Sequence, residues 1–143
     1  MVSEAGHFLI EATTIKPNGE KLIVGTDSGF PQLIRPMFYE AYHQIENISN
    51  PEGELKKYDV VGNICESGDC FGSDRELSEV REGDILLIKN AGAYCYSMGG
   101  IYNLRPMPAE VNYREGRTYL SRRRKSYKEM VDEIIEESHL TKI

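Results

Sequence analysis

A β-hairpin pattern near the N-terminus constrains the fold of this chain more than any other feature. From Phe8 to Lys16, apolar and β-branched side chains recur at every second position, which is the period of a strand with one buried face. Pro17-Asn18-Gly19-Glu20 follows as a turn, because Asn and Gly tolerate positive φ. Lys21 to Thr26 then returns as the second arm of the hairpin.

More short strands are predicted further along the chain. They cover residues 58–64, 85–88, 109–114 and 117–123, and the last two form a second hairpin around Glu115-Gly116. A polar, glycine-rich stretch from Cys65 to Asp74 is interpreted as a loop. A chain composed mostly of strands predicts a mainly β fold, either a β-sandwich or a small barrel, to which helices are added.

Two helices are expected. Pro36 suits the first position of a helix and predicts a short one near residues 36–43, with Arg35 just before it and Tyr39 about one turn in. Ser126 and Glu129 have the spacing of a capping box. The apolar residues after them follow helical spacing on one face and predict a C-terminal helix near residues 127–138.

Composition limits the function classes. The 143 residues suggest one domain, and a formal net charge of −6 disfavours nucleic acid as a partner. No apolar run approaches the ~20 residues that span a bilayer, so no membrane partner is expected. Three cysteines are too few for a disulfide scaffold and favour a reducing, cytoplasmic location. The histidines are dispersed, so we expect no metal site.

A few residues could carry chemistry. Cys65 and Glu66 place a thiol beside a carboxylate after a strand, where functional residues often lie, and such a thiol can donate a proton. The alternative is a small buried hydrophobic residue. Arg35 could bind a carboxylate or phosphate, or it could be an exposed charge. Tyr39 and Tyr94 could line a pocket or simply pack.

Taken together, these segments resemble the diaminopimelate decarboxylase family, within the ornithine/diaminopimelate/arginine decarboxylases. The similarity extends over nearly the whole chain, and the order of the motifs makes it specific. The motifs are Leu33-Ile34-Arg35-Pro36 with Tyr39 and Ala41-Tyr42-His43, Tyr58-Asp59-Val60-Val61-Gly62, Cys65-Glu66-Ser67-Gly68-Asp69, Arg75-Glu76-Leu77, Gly83-Asp84, Ala91-Gly92-Ala93-Tyr94 with Ser97, and Tyr102-Asn103 with Arg105-Pro106.

The resemblance implies a two-domain enzyme. An N-terminal α/β barrel would hold pyridoxal 5'-phosphate on a lysine, and a C-terminal domain would have the Greek-key β-sandwich or small-barrel fold seen in alanine racemase. Members of the family are usually homodimers with the active sites at the subunit interface. Their reaction removes carbon dioxide from meso-diaminopimelate, an amino acid, and gives L-lysine in lysine biosynthesis.

The resemblance also assigns roles to single residues. Cys65 would protonate the substrate carbon after carbon dioxide leaves, in the active site of the partner subunit. Glu66 would contact the distal amino group of the substrate. Arg35 would bind its distal carboxylate with support from Tyr39, and Tyr94 would contact both cofactor and substrate. Cys-Glu-Ser-Gly favours diaminopimelate over ornithine or arginine, whose decarboxylases have Asp-Gly after the cysteine.

A barrel of this type needs ~250 residues, so the whole chain is expected to be the C-terminal β domain without its cofactor-binding barrel. It should therefore be inactive alone. Two alternatives remain at this point. One is a decarboxylase of the same fold for another substrate with a distal group, such as carboxynorspermidine. The other is a non-catalytic domain that mediates assembly.

Overall fold

The computed structural model describes residues 2–139, and the chain divides into two compact units, Met1–Gly99 and Gly100–Ile143. The first unit contains a 3-10 helix at Val2–Ala5, β1 (Phe8–Asn18), β2 (Lys21–Thr26), α1 (Arg35–Tyr39), β3 (Ile45–Asn47), β4 (Leu55–Val61), β5 (Cys70–Ser78) and β6 (Ile85–Ile88). The second unit contains a 3-10 helix at Tyr102–Leu104, β7 (Glu110–Arg114), β8 (Arg117–Arg122) and α2 (Tyr127–His139).

The first unit is built on one six-stranded sheet with the order β3-β6-β1-β2-β4-β5. Neighbouring strands are antiparallel except for the parallel pair β2 and β4. The two edge strands approach each other, and the side-chain amide of Asn47 donates a hydrogen bond of 2.9 Å to the carbonyl of Glu79, just after β5. The sheet therefore curls into a nearly closed barrel, and the predicted mainly β fold with two helices is confirmed.

The N-terminal hairpin forms as the alternation predicts. Phe8, Ile10 and Ala12 are buried, whereas the residues between them are exposed. In the barrel interior the Phe8 ring meets the Phe71 ring of β5 edge-on, with 6.2 Å between centroids. The turn is tighter than predicted, because β1 continues to Asn18, which pairs with Lys21.

Some boundaries differ from the sequence-based prediction. Strand β4 begins at Leu55 and ends at Val61, and the polar stretch predicted as a loop already contains the start of β5 at Cys70. The three-residue strand β3 was not predicted. Helix α1 begins at Arg35 and is shorter than predicted, because Glu40 takes the left-handed conformation (φ 53°) and its N–H bonds the Arg35 carbonyl.

The second unit has the predicted hairpin and the predicted C-terminal helix. The capping box forms in both directions: the Glu129 amide donates to Ser126 Oγ (3.2 Å), and the Ser126 amide donates to Glu129 Oε2 (2.8 Å). On the apolar face of α2, Met130 is buried, whereas Val131, Ile134 and Ile135 are exposed. No helix in residues 2–139 has the length and apolar character needed to cross a membrane.

Candidate functional site

Residues 28–33, here called the anchor loop, connect β2 to α1 and organise the candidate site. The buried side chain of Gln32 fixes the loop internally, because its Oε1 accepts hydrogen bonds from Ser28 Oγ (3.2 Å) and from the Gly29 amide (3.1 Å). Two other segments bond to this loop. The Asn63 amide donates to the Ser28 carbonyl at 2.9 Å, and Cys95 Sγ donates to the Gln32 carbonyl at 3.0 Å.

The structure brings Arg35 and Tyr94 together. Arg35 opens α1 directly after the anchor loop, and its guanidinium carbon lies 5.9 Å from the centroid of the Tyr94 ring. The guanidinium forms no ion pair with any described residue. Tyr94 is exposed and has a φ of 61°, a conformation that bulky residues rarely adopt and that clusters at functional sites. A cation and a phenol are thus held side by side.

The predicted acid and its neighbour lie on a tight turn at residues 64–70, here called the Cys65 turn. Cys65 is an exposed, free thiol, so the alternative of a small buried hydrophobic residue is wrong. Glu66 is also exposed. A Cβ added to Gly68 would meet Met37 Cγ at 3.0 Å, which shows that the turn packs closely against α1. The helix that carries Arg35 and the turn that carries Cys65 are therefore neighbours.

Tyr39 is the last residue of α1. Its ring meets the Phe38 ring edge-on, with 5.1 Å between centroids, and the residue is 56% exposed. It lies one helical turn from Arg35, a separation at which side chains share a helix face. The neighbouring Tyr42 makes a cation–π contact with a different arginine, because the Arg75 guanidinium carbon lies 4.0 Å from its ring centroid.

Asp69 was not among the predicted site residues. It is buried, with Oδ1 accepting the Phe30 amide (2.6 Å) and Oδ2 accepting the Ile64 amide (2.8 Å). Burial raises the pKa of its carboxyl above the ordinary value of 3.8, against the opposing effect of the two amide hydrogen bonds. The glycines at positions 29 and 62, which leave room for this carboxylate, are the sequence signal that could have revealed it.

His43 is a second residue that was not among the predicted site residues. It is buried, and its Nδ1 lies 2.8 Å from the Lys89 carbonyl, so Nδ1 carries the proton and donates. The Lys89 amide in turn donates to the Gln44 carbonyl at 2.8 Å. These bonds fix the end of β6, from which the chain continues to Tyr94.

The combined arrangement offers a defined set of chemical groups. An exposed thiol can give or take a proton. The guanidinium of Arg35, which has no ion-pair partner among residues 2–139, can bind a carboxylate through paired hydrogen bonds. An exposed carboxylate can bind an amine, and a phenol can donate or accept a hydrogen bond. Such a set suits a small ligand that carries both charges.

Comparison with known proteins gives consistent matches. The family profile described as "Pyridoxal-dependent decarboxylase, C-terminal sheet domain" matches residues 1–92. Diaminopimelate decarboxylase of Methanothermobacter thermautotrophicus is 46% identical over 132 residues, which are 92% of this chain and 31% of that protein. The chain thus spans about a third of the length of this relative.

Two solved structures extend the comparison. Diaminopimelate decarboxylase from Methanocaldococcus jannaschii in complex with L-lysine aligns with a TM-score of 0.86 and 36% identity, covering 92% of this chain and 30% of that one. The enzyme from Helicobacter pylori, also with L-lysine, aligns with a TM-score of 0.86 and 33% identity, covering 94% and 33%.

Proposed function

The chain belongs to the pyridoxal-dependent decarboxylases as their C-terminal sheet domain, and we propose that it is part of an enzyme that converts meso-diaminopimelate to L-lysine. The observation that carries this proposal is the exposed Cys65–Glu66 pair on a turn packed against the helix of Arg35. The names of the relatives support the same substrate.

The charges of the site support a substrate with two ionic groups at its far end. Diaminopimelate resembles lysine with an added distal carboxylate, so its recognition needs a cation and an anion. Arg35 would bind the distal carboxylate, with Tyr39 one turn further along the helix, and Glu66 would bind the distal amine. Arg35 forms no ion pair within the described residues and lies beside the ring of Tyr94. This is consistent with the role, because a guanidinium already in an ion pair would have to break it first.

Cys65 would supply the proton. After loss of carbon dioxide, the substrate carbon that carried the carboxylate must gain a proton to become the methylene of lysine. A thiol donates that proton and is left as a thiolate, which solvent reprotonates. The exposure of Cys65 suits both steps, since the thiol can face an active site formed with another polypeptide surface and can exchange its proton afterwards.

Most of the contacts that hold the cofactor would come from a part of the protein outside this chain. Pyridoxal phosphate, when bound, supplies the electron sink for decarboxylation. Among the candidate residues Tyr94 fits contact with it, because the residue is exposed and its ring lies beside Arg35. We propose that a barrel domain binds the phosphate and forms the lysine linkage, that the protein works as a cytoplasmic homodimer, and that Cys65 acts in the partner's site.

Steady-state kinetics of the full-length protein with meso-diaminopimelate test this function. Cys65→Ala should lower kcat by about 10²- to 10⁴-fold and change KM less, because proton donation belongs to the chemical step. Cys70→Ala is the matched control, since Cys70 lies on the same turn and its thiol donates to the Val60 carbonyl. Equal kcat values for Cys65→Ala and wild type would overturn the role of Cys65.

The 143-residue chain alone provides a second test. It should release no carbon dioxide from meso-diaminopimelate and show no cofactor absorbance band after incubation with pyridoxal phosphate. Lysine formation by the isolated chain would refute the proposed division between the two domains.

A further inference from the structure

The buried carboxylate of Asp69 joins two segments of the candidate site. Its two oxygens accept hydrogen bonds from different places: Oδ1 from the Phe30 amide of the anchor loop (2.6 Å) and Oδ2 from the Ile64 amide at the start of the Cys65 turn (2.8 Å). Asp69 itself is 5% exposed. One side chain thus connects the end of the Cys65 turn, the beginning of that turn and the anchor loop.

Close backbone approach makes this arrangement possible. A Cβ added to Gly62 would lie 2.2 Å from Asp69 Oδ2, and one added to Gly29 would lie 2.8 Å from the same atom. Real Cβ atoms are not found at such distances, so the carboxylate has its position only because both neighbours are glycines. The sequence therefore provides a space shaped for this carboxylate.

The Cys65 turn is closed around the same residue. The Gly62 amide donates to the Asp69 carbonyl (2.9 Å), and the Asp69 amide donates to the Glu66 carbonyl (3.0 Å). Cys65 and Glu66 lie between Ile64 and Asp69, the two positions that the carboxylate fixes. Asp69 thus holds, at both ends, the backbone segment from which the Cys65 and Glu66 side chains project.

The charge state of Asp69 fits a residue that shapes backbone. No cation pairs with it in the part of the chain that the structure describes. Burial raises the pKa of its carboxyl, and the nearby charge of Glu66 adds to the rise. The anchor loop packed against it, residues 28–33, carries no titratable side chain. A buried charge without a cation disfavours folding unless hydrogen bonds compensate it, and here backbone amides provide them.

We propose that Asp69 is a positioning residue: it holds the Cys65 turn on the anchor loop through two backbone amides and thereby aims Cys65 and Glu66 into the active site. This proposal deepens the proposed function and rests on it, because the active site meant here is the one proposed for decarboxylation. Asp69 does not itself touch substrate. Loss of its carboxylate should loosen the turn locally and leave the barrel intact.

Hydrogen exchange in the full-length protein, read by mass spectrometry on peptides, tests the proposal. In Asp69→Asn one oxygen becomes an NH₂ that faces an amide donor, so exchange in residues 28–34 and 62–70 should accelerate by about 10-fold or more, while peptides from β2 and β6 stay within about 2-fold. Gly62→Ala should act alike, because the added methyl group displaces the carboxylate. Gly100→Ala, with open space around it, is the matched control.

Two outcomes would overturn the proposal. One is unchanged exchange of the Cys65 turn in both variants. The other is equal acceleration in all peptides, which would make Asp69 a general stabilising residue. In turnover with meso-diaminopimelate, Asp69→Asn should lower kcat more than it raises KM, because the position of the proton donor affects the chemical step. A change in KM alone would also count against the proposal.

The unmodified protein gives an independent measurement if the variants do not fold. As the pH falls through the pKa of Asp69, which burial raises above 3.8, protonation removes the cost of burying the charge, so an opening that exposes Asp69 becomes less favourable. Exchange of residues 62–70, corrected for its intrinsic pH dependence, should then slow relative to that of β6. Simultaneous change of both segments would contradict the proposal. All exchange measurements omit substrate, so they decide the positioning role even if Cys65→Ala leaves turnover unchanged.

Discussion

Two regions of the first unit use acidic residues in opposite ways. At the candidate site, Asp69 is buried and bonded to backbone amides, and burial raises the pKa of its carboxyl. Where the sheet closes, Glu79 lies near the surface and binds Lys56 (2.6 Å) and Arg81 (2.7 Å), and these cations lower its pKa to about 2. The hydrogen bonds of Asp69 fix the backbone of a loop, whereas the contacts of Glu79 are ion pairs.

The arginines of the two regions also differ in whether they form an ion pair. Arg81 is paired with Glu79, whereas Arg35 has an aromatic ring beside it and no ion-pair partner among the described residues. Paired charges satisfy each other within the fold, whereas a guanidinium without such a pair can bind an anionic ligand. Single substitutions in each region test whether this contrast holds.

Among the variants that compare these two regions, Arg35→Ala is expected to have the largest effect. Loss of paired, charge-assisted hydrogen bonds to the distal carboxylate should lower kcat/KM for meso-diaminopimelate by about 10- to 100-fold. Arg81→Ala is the matched control, because it removes the same side chain from the closure of the sheet, and it should leave kcat/KM within about 2-fold. Steady-state kinetics of the full-length protein measure both. Equal losses in the two variants would remove the distinction between the regions.

Asn47→Ala should lower stability and leave turnover unchanged, the opposite of Arg35→Ala. The Asn47 side chain donates to the Glu79 carbonyl and to Asp84 Oδ2, and it accepts the Ser49 amide. Its loss leaves buried groups unsatisfied and should lower the free energy of opening the sheet by about 1–3 kcal/mol. Hydrogen exchange of β3 and β5 in rising urea measures this, with the exposed Asn18→Ala as control.

Turnover completes the test of Asn47→Ala. Without urea, and at a temperature at which the variant is folded, kcat for meso-diaminopimelate should match that of wild type. A large loss of kcat without any loss of stability would show that the closure of the sheet also serves the site.

The smallest effect concerns pH. The pKa of Glu79 is lowered in the folded state, so its ion pairs stabilise the fold above its ordinary pKa of 4.5, and this contribution disappears as the pH falls towards about 2. Glu79→Gln should therefore be slightly less stable than wild type at pH 7 and equal to it at pH 2. Urea midpoints across this range check the prediction. A gap that persists at pH 2 would assign the effect to packing.

Asp69 should contribute a pH dependence of folding stability with the opposite sign. Its pKa is raised in the folded state, so the folded protein binds the proton more readily, and the cost of burying the charge falls away as the pH drops through the folded pKa. Asp69→Asn should remove this dependence. Stability that falls in parallel for wild type and both variants would mean that neither carboxyl behaves as its surroundings imply.

The sequence predicted the regular elements with strong periodicity. The alternation from Phe8 and the capping box at Ser126 each produced the expected element, because in these segments local pattern and tertiary packing agree. Strand β5 was missed because its polar and glycine residues resemble a loop, and only pairing with β4 makes it a strand. The end of α1 at Glu40 depends on one left-handed residue.

The candidate site was predictable only in part. The exposed Cys65 and the neighbours Arg35 and Tyr94 were found from motifs, and their roles in the reaction remain predictions. Asp69 was missed because its importance arises from amides at Phe30 and Ile64, 39 and 5 residues away along the chain. Burial and backbone hydrogen bonding at that distance leave little trace in composition or spacing.

The substrate selectivity of the full-length protein that contains this chain tests the proposed function most directly. Carbon dioxide release would be measured with meso-diaminopimelate, carboxynorspermidine and ornithine, with the product of the first identified as L-lysine. The proposed function predicts the highest kcat/KM for meso-diaminopimelate, with ornithine far lower because it leaves Arg35 without an anion. Higher kcat/KM for either of the other substrates, or no L-lysine from meso-diaminopimelate, would contradict it.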